Sequence, residues 1–117
     1  MQILYVEDDP NDAQLVALYI HTTPHQLVTV TNTGDARSEL GSFPQIIMLD
    51  VMLNNSREGY NFARELRSQG YNQPLIAVTA LSTAHDREEC QKAGFTTILT
   101  KPFTIHQLAE VIRQYSV

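Results

Sequence analysis

Five residues stand out by chemical type and by where they fall in the chain. Glu7 and Asp8 follow the apolar run Ile3-Leu4-Tyr5-Val6. Asp50 ends the run Ile46-Ile47-Met48-Leu49, Thr79 ends Leu75-Ile76-Ala77-Val78, and Lys101 follows Thr97-Ile98-Leu99-Thr100. If these runs are neighbouring strands, three carboxylates, a hydroxyl and an ammonium meet on one rim. Carboxylates held that close raise one another's pKa and destabilise the fold unless a counter-ion is present. A hard divalent cation resolves the conflict, and carboxylates with water suit Mg2+. Lys101 cannot ligate a cation, but it can pair with a phosphoryl oxygen, and Thr79 can donate to another. Asp50 is then the natural nucleophile, because carboxylates form aspartyl phosphates. The implied chemistry is phosphoryl transfer by positioning and charge neutralisation. Taken singly, an Asp after a strand is a cap or turn residue and Lys-Pro is a loop start. Their coincidence after four separate strands favours the chemical reading.

The elements that must position these groups follow a rhythm. Short apolar runs, with Leu27-Val28-Thr29-Val30 as the second, alternate with longer amphipathic segments. Runs apolar on both faces fit strands buried in a parallel sheet, and alternation with helices implies right-handed βαβ crossovers. The fold class is α/β: a doubly wound five-stranded parallel sheet with five helices. Ligand sites of such sheets lie beyond the carboxyl ends of the strands. The second strand brings only Thr31 and Asn32 to that rim, which places it at the sheet edge. Asp9 before Pro10 reads as N-cap then first helical residue. A short second helix is expected around Ala36 to Leu40, a third through Phe62, Ala63 and Leu66, and a polar fourth from about Ala84 to a C-terminal glycine, Gly94. Thr104 and Gln107 form a capping box opening a last helix with Leu108, Val111, Ile112 and Tyr115 on one face.

Composition narrows the class further. The 117 residues carry 43% hydrophobic and 18% charged side chains, enough for one globular core, and the formal charge is −5. An acidic chain without a basic patch excludes direct nucleic-acid binding. Its apolar runs fall far short of the roughly 18 residues of a membrane span, and no signal peptide is read, so a cytoplasmic protein is expected. Cys90, the single cysteine, follows Glu88-Glu89, a setting that disfavours a thiolate, and it reads as an inert core thiol. His21, His25, His85 and His106 are scattered without metal-ligand spacing.

On Glu7-Asp8, Asp50, Thr79-Ala80 and Lys101-Pro102-Phe103, with their separations, the chain resembles the receiver domain of two-component response regulators over essentially its whole length. The resemblance implies strand order 2-1-3-4-5. It implies that Asp50 accepts a phosphoryl group from a phosphohistidine on a sensor histidine kinase or phosphotransfer protein. Asp8, Asp50 and the backbone carbonyl of Met52 would ligate Mg2+, with Glu7 acting through water, while Thr79 and Lys101 hold phosphoryl oxygens. Such a protein catalyses only its own phosphorylation and slow dephosphorylation and is not otherwise an enzyme. Its output is phosphorylation-dependent binding of a downstream protein through helix four, strand five and helix five, as a monomer or weak dimer. Ala80, Leu81, Ile98 and Pro102 are then switch and lifetime positions.

Three departures from the family pattern stand out. Asn54 replaces the usual Pro four residues after the phosphoacceptor. Gly59 falls one residue late, and Ile98 replaces an aromatic switch residue. Met52 and Leu81, which border the path of the attacking water in receivers, are apolar and cannot orient it, so slow self-dephosphorylation is expected. Three other readings compete: a phosphorylation-independent interaction module, a Mg2+-dependent phosphohydrolase and a flavodoxin-like carrier. The phosphohydrolase would need Asp-x-Asp at the first strand and a cap domain. The carrier would need a Ser, Thr and Gly-rich loop where Glu7-Asp8-Asp9 would repel phosphate. The ending after Tyr115-Ser116 favours a stand-alone receiver, residues 1–117, over a fragment of a longer regulator.

Overall fold

Side chains of a strand alternate between two faces, and here both faces are apolar. The computed structural model describes residues 1–81 and 83–116. Its strands are β1 (Gln2–Val6), β2 (Gln26–Val30), β3 (Ile46–Asp50), β4 (Leu75–Thr79) and β5 (Thr97–Thr100). Its helices are α1 (Pro10–Ile20), α2 (Thr33–Glu39), α3 (Glu58–Ser68), α4 (Ala84–Ala93) and α5 (Ile105–Tyr115). All strand pairs are parallel, in the order β2-β1-β3-β4-β5. The expected α/β architecture and the edge position of β2 are both observed.

The strand period of two divides the core in two. Leu4, Val6, Ile47, Leu49, Leu75 and Ala77 face α2, α3 and α4 through Ala36, Phe62, Leu66 and Ala93. Ile3, Tyr5, Ile46, Met48, Ile76 and Val78 face α1 and α5 through Val16, Ile20, Leu108 and Ile112. Burying one such side chain is worth about 1.5–3 kcal/mol, so these two layers carry most of the stability.

Helix starts follow local side-chain chemistry. Asp9 caps α1 by accepting from the Asn11 amide, with Pro10 at the first helical position. Thr104 and Gln107 form the expected reciprocal capping box of α5, and Thr83 with Asp86 forms another at α4. Gly94 ends α4 in the left-handed region, at φ 103°. The second helix begins earlier than the sequence suggests. Asn32 accepts from the Asp35 amide at 2.8 Å and starts α2 at Thr33, while Leu40 opens a separate 3-10 turn, Leu40–Ser42.

Candidate functional site

The carboxyl ends of β1, β3, β4 and β5 place the candidate residues by register. Val6 pairs with Leu49, so Glu7 comes level with Asp50, and Thr79 pairs with Thr100, one residue before Lys101. Backbone bonds extend the ladders by one step: Glu7 N–H to the Val30 carbonyl at 2.9 Å, and Lys101 N–H to the Thr79 carbonyl at 2.7 Å. The period of two then sorts the side chains. Glu7, Asp50 and Lys101 continue the rows of Tyr5, Met48 and Leu99, on the α1/α5 side. Thr79 continues the row of Leu75 and Ala77, on the α2–α4 side.

Lys101 is the centre of the charge network. Its Nζ lies 2.7 Å from Glu7 Oε1, 3.1 Å from Asp12 Oδ2 and 3.3 Å from Asp50 Oδ2. Burial alone would lower the Lys101 pKa, but its bonds to Glu7 and Asp12 and the Asp50 charge outweigh that and raise it well above the usual range. Glu7 is fully buried and moves the other way from an ordinary carboxylate. Burial, then contact with Asp50, pushes it up to about 7 against the opposing bonds from Lys101 and Tyr5. Tyr5 OH donates to Glu7 Oε1 at 2.7 Å, and burial followed by the Glu7 charge holds its phenol far above the usual range.

Asp50 is nearly buried, and its Oδ1 accepts from the Met52 amide at 3.0 Å. Asp8 is exposed, and its Oδ2 accepts from the Asn54 amide at 3.0 Å. Glu7, Asp8 and Asp50 each offer an oxygen within 4.8 Å of the other two. Three hard oxygen donors around one point, two buried and one facing solvent, suit a Mg2+ ion that keeps part of its water shell. The donor set therefore fits the cation expected from the sequence.

The β3–α3 connection explains two of the departures. Asn54 and Asn55 both have positive φ, 53° and 58°. Proline can neither adopt that angle nor offer the amide that Asn54 gives Asp8. Gly59 lies in the first turn of α3 against the end of β3 that carries Asp50. Its N–H donates to the Val51 carbonyl at 3.2 Å, and a Cβ there would overlap the Asp50 carbonyl oxygen.

The remaining candidates lie around this centre. Thr79 is buried, and its Oγ1 accepts from the Leu81 amide at 3.0 Å, which ties it to the β4–α4 loop rather than to Asp50. Met52, Leu81 and Ile98 are half-buried and pack on the α2–α4 core. Ala80 and Pro102 are exposed, and Pro102 follows a cis peptide bond. Cys90 is buried beside Tyr60, and burial pushes its thiol up, as an inert core cysteine requires. Asp9 serves as the α1 cap.

Two residues of the network are absent from the sequence reading. Asp12 looks like any acidic residue in a first helical turn, where it suits the helix dipole. Tyr5 was legible only as a strand residue, although its parity with Glu7 puts both on one side of the sheet.

The chain matches the response regulator receiver domain over residues 3–113, and it belongs to that family. It is 29% identical over 117 residues to the sensor histidine kinase RcsC of Escherichia coli, covering 99% of this chain and 12% of that protein. It thus spans a small part of these kinase relatives. An uncharacterised 14.6 kDa protein of Leptolyngbya boryana is 29% identical over 98% of this chain and 89% of its own length. Among solved structures, the receiver domain of a Pseudomonas aeruginosa sensor histidine kinase, with a magnesium ion coordinated in its active-site cleft, is 30% identical. It superposes with a TM-score of 0.85 over 97% of this chain and 95% of that one. A Vibrio cholerae chemotaxis protein shares the fold at 21% identity and a TM-score of 0.86, covering 98% of each chain. No described helix is long and apolar enough to cross a membrane.

Proposed function

We propose that residues 1–117 form one receiver domain that acts as a phosphorylation switch. Asp50 takes a phosphoryl group from a phosphohistidine of a sensor histidine kinase or phosphotransfer protein. The observation that carries this reading is the setting of Asp50. Its carboxylate is nearly buried, one oxygen is held by the Met52 amide, the other lies 3.3 Å from the Lys101 ammonium, and Glu7 and Asp8 flank it.

In the transfer, a carboxylate oxygen of Asp50 forms a bond to phosphorus as the phosphorus–nitrogen bond of the donor breaks. The electron pair leaves with the imidazole, which takes up a proton. Asp8 and Asp50, with the Met52 carbonyl, would hold Mg2+, and Glu7 would act on it through water. The bound cation would neutralise charge on the phosphoryl oxygens. Lys101 pairs with one phosphoryl oxygen by moving its third donor from Asp50. Thr79 donates its hydroxyl proton to another, and a shift of its Oγ1 toward that oxygen lengthens the bond that Oγ1 accepts from the Leu81 amide. That movement couples the site to the β4–α4 loop and so to the surface of α4, β5 and α5, where a downstream protein would bind. Ile98, an aliphatic residue at the family's aromatic switch position, packs on the α2–α4 core and offers no ring rotamer switch, so this coupling runs differently or more weakly than with an aromatic there. The same cycle makes the chain a phosphoacceptor, not an enzyme acting on external esters, and its expected setting is the cytoplasm.

Acetyl phosphate with Mg2+ tests the reading. The intact protein should gain the mass of one phosphoryl group, while Asp50→Asn should not. Absence of modification in the wild type would favour a phosphorylation-independent module.

A further inference from the structure

The third partner of Lys101 has no place in the transfer described above. The ammonium of Lys101 lies within ion-pair distance of three carboxylates in the resting protein, Glu7, Asp50 and Asp12. Glu7 and Asp50 belong to the strand ends. Asp12 comes from the first turn of α1, three residues past the Asp9 cap, and its side chain keeps 28% of its accessibility. Four carboxylates (Glu7, Asp8, Asp12 and Asp50) thus crowd the site against the single ammonium of Lys101. A phosphoryl dianion on Asp50 adds further negative charge and needs the same donors.

We propose that Asp12 is a competitor for Lys101, a positioning residue that holds the ammonium in the resting arrangement and weakens the phosphoryl-bound one. Two effects act in the same direction. Asp12 draws the Lys101 ammonium to itself at 3.1 Å and away from a phosphoryl oxygen, and its negative charge repels the incoming dianion across the ammonium. A helix-dipole role alone requires only that Asp12 lie in the first turn, not that its carboxylate reach Lys101. The consequence is a switch biased toward its resting form by a residue outside the metal and nucleophile set. This inference rests on the phosphorylation reading.

The test uses beryllofluoride, a tetrahedral phosphoryl mimic that binds a carboxylate, in saturating Mg2+, with affinity measured by calorimetry for the wild type, Asp12→Asn, Asp12→Ser and Asp12→Glu. Both neutral variants should bind beryllofluoride roughly three- to ten-fold more tightly, the range of a partly screened charge contact. Asp12→Glu should stay near the wild type. Mg2+ alone, which Asp12 attracts, should bind the neutral variants equally or less tightly. A merely structural defect would weaken both ligands together. Unchanged or weaker beryllofluoride binding in the neutral variants, with the wild type binding well, would overturn the role of Asp12. Failure of the wild type to bind beryllofluoride would instead overturn the phosphorylation reading on which it rests.

Discussion

The α-carbon of Gly59 rests against the carbonyl of Asp50, so closely that no side chain fits between the first turn of α3 and the end of β3. A Cβ at residue 59 would overlap the Asp50 carbonyl oxygen and the Val51 α-carbon, and backbone cannot yield as a flexible side-chain tip can. Gly59→Ala should therefore destabilise the fold by about 3 kcal/mol or more, above the usual range for overpacking. Denaturant midpoints check this. A variant as stable as the wild type would mean that α3 can shift without disturbing Asp50.

Glu7 predicts an unusual pH profile for the metal-free protein. Its pKa lies at about 7 in the fold, above the ordinary value of 4.5, chiefly through burial. The folded state therefore holds this proton more tightly than the unfolded chain does. The stability it contributes is fully present at low pH and is lost as pH rises through about 7. On the proposed reading Mg2+ would bind the deprotonated carboxylates and stabilise the folded state by linkage. The rise in Tm on adding millimolar Mg2+ should accordingly be larger at about pH 8 than at about pH 6. Equal Tm gains at both values would contradict this account of Glu7.

Lys101 is the cation that holds the acidic rim together when no metal is bound. Lys101→Met removes it while keeping most of the aliphatic stem. It should destabilise the metal-free protein by about 2–4 kcal/mol, near the figure for breaking a buried pair, discounted for partial exposure. Mg2+ should restore a large part of that loss. Thermal melts with chelator and with Mg2+ measure both quantities.

Met52 and Leu81 set the predicted lifetime of the phosphorylated state. Both are half-buried, apolar and packed on the α2–α4 core, so neither can hydrogen-bond an attacking water. The wild type should lose its phosphoryl group slowly, over minutes to hours. The double variant Met52→Asn with Leu81→Glu should shorten that time several-fold. A half-life of seconds in the wild type without a phosphatase would refute the assignment.

Much of this was legible in the residues themselves. Continuous apolar runs announced a doubly buried parallel sheet, and the polar residues just past those runs announced its rim. Asp9-Pro10 and Thr104–Gln107 announced two helix starts. What was not legible came from pairings that sequence distance hides. Asp12 meets Lys101 only because α1 starts at the sheet rim where β5 ends. The Asn54 replacement read as a loss of proline; the positive φ and the amide donated to Asp8 emerge only with the folded loop. The early start of α2 goes with the Asn32 side chain, which accepts from the Asp35 amide and donates to the Asp35 carboxylate, and helix ends are the least determined by periodicity.

The central claim is that Asp50 is the phosphoacceptor. Mass spectrometry of the wild type and Asp50→Asn after treatment with acetyl phosphate and Mg2+ tests it most directly. The account predicts one added phosphoryl group, located on Asp50 in the wild type, lost when Mg2+ is chelated during the reaction, and absent in Asp50→Asn. Modification that persists in Asp50→Asn, or a wild type left unmodified with Mg2+ present, would contradict it.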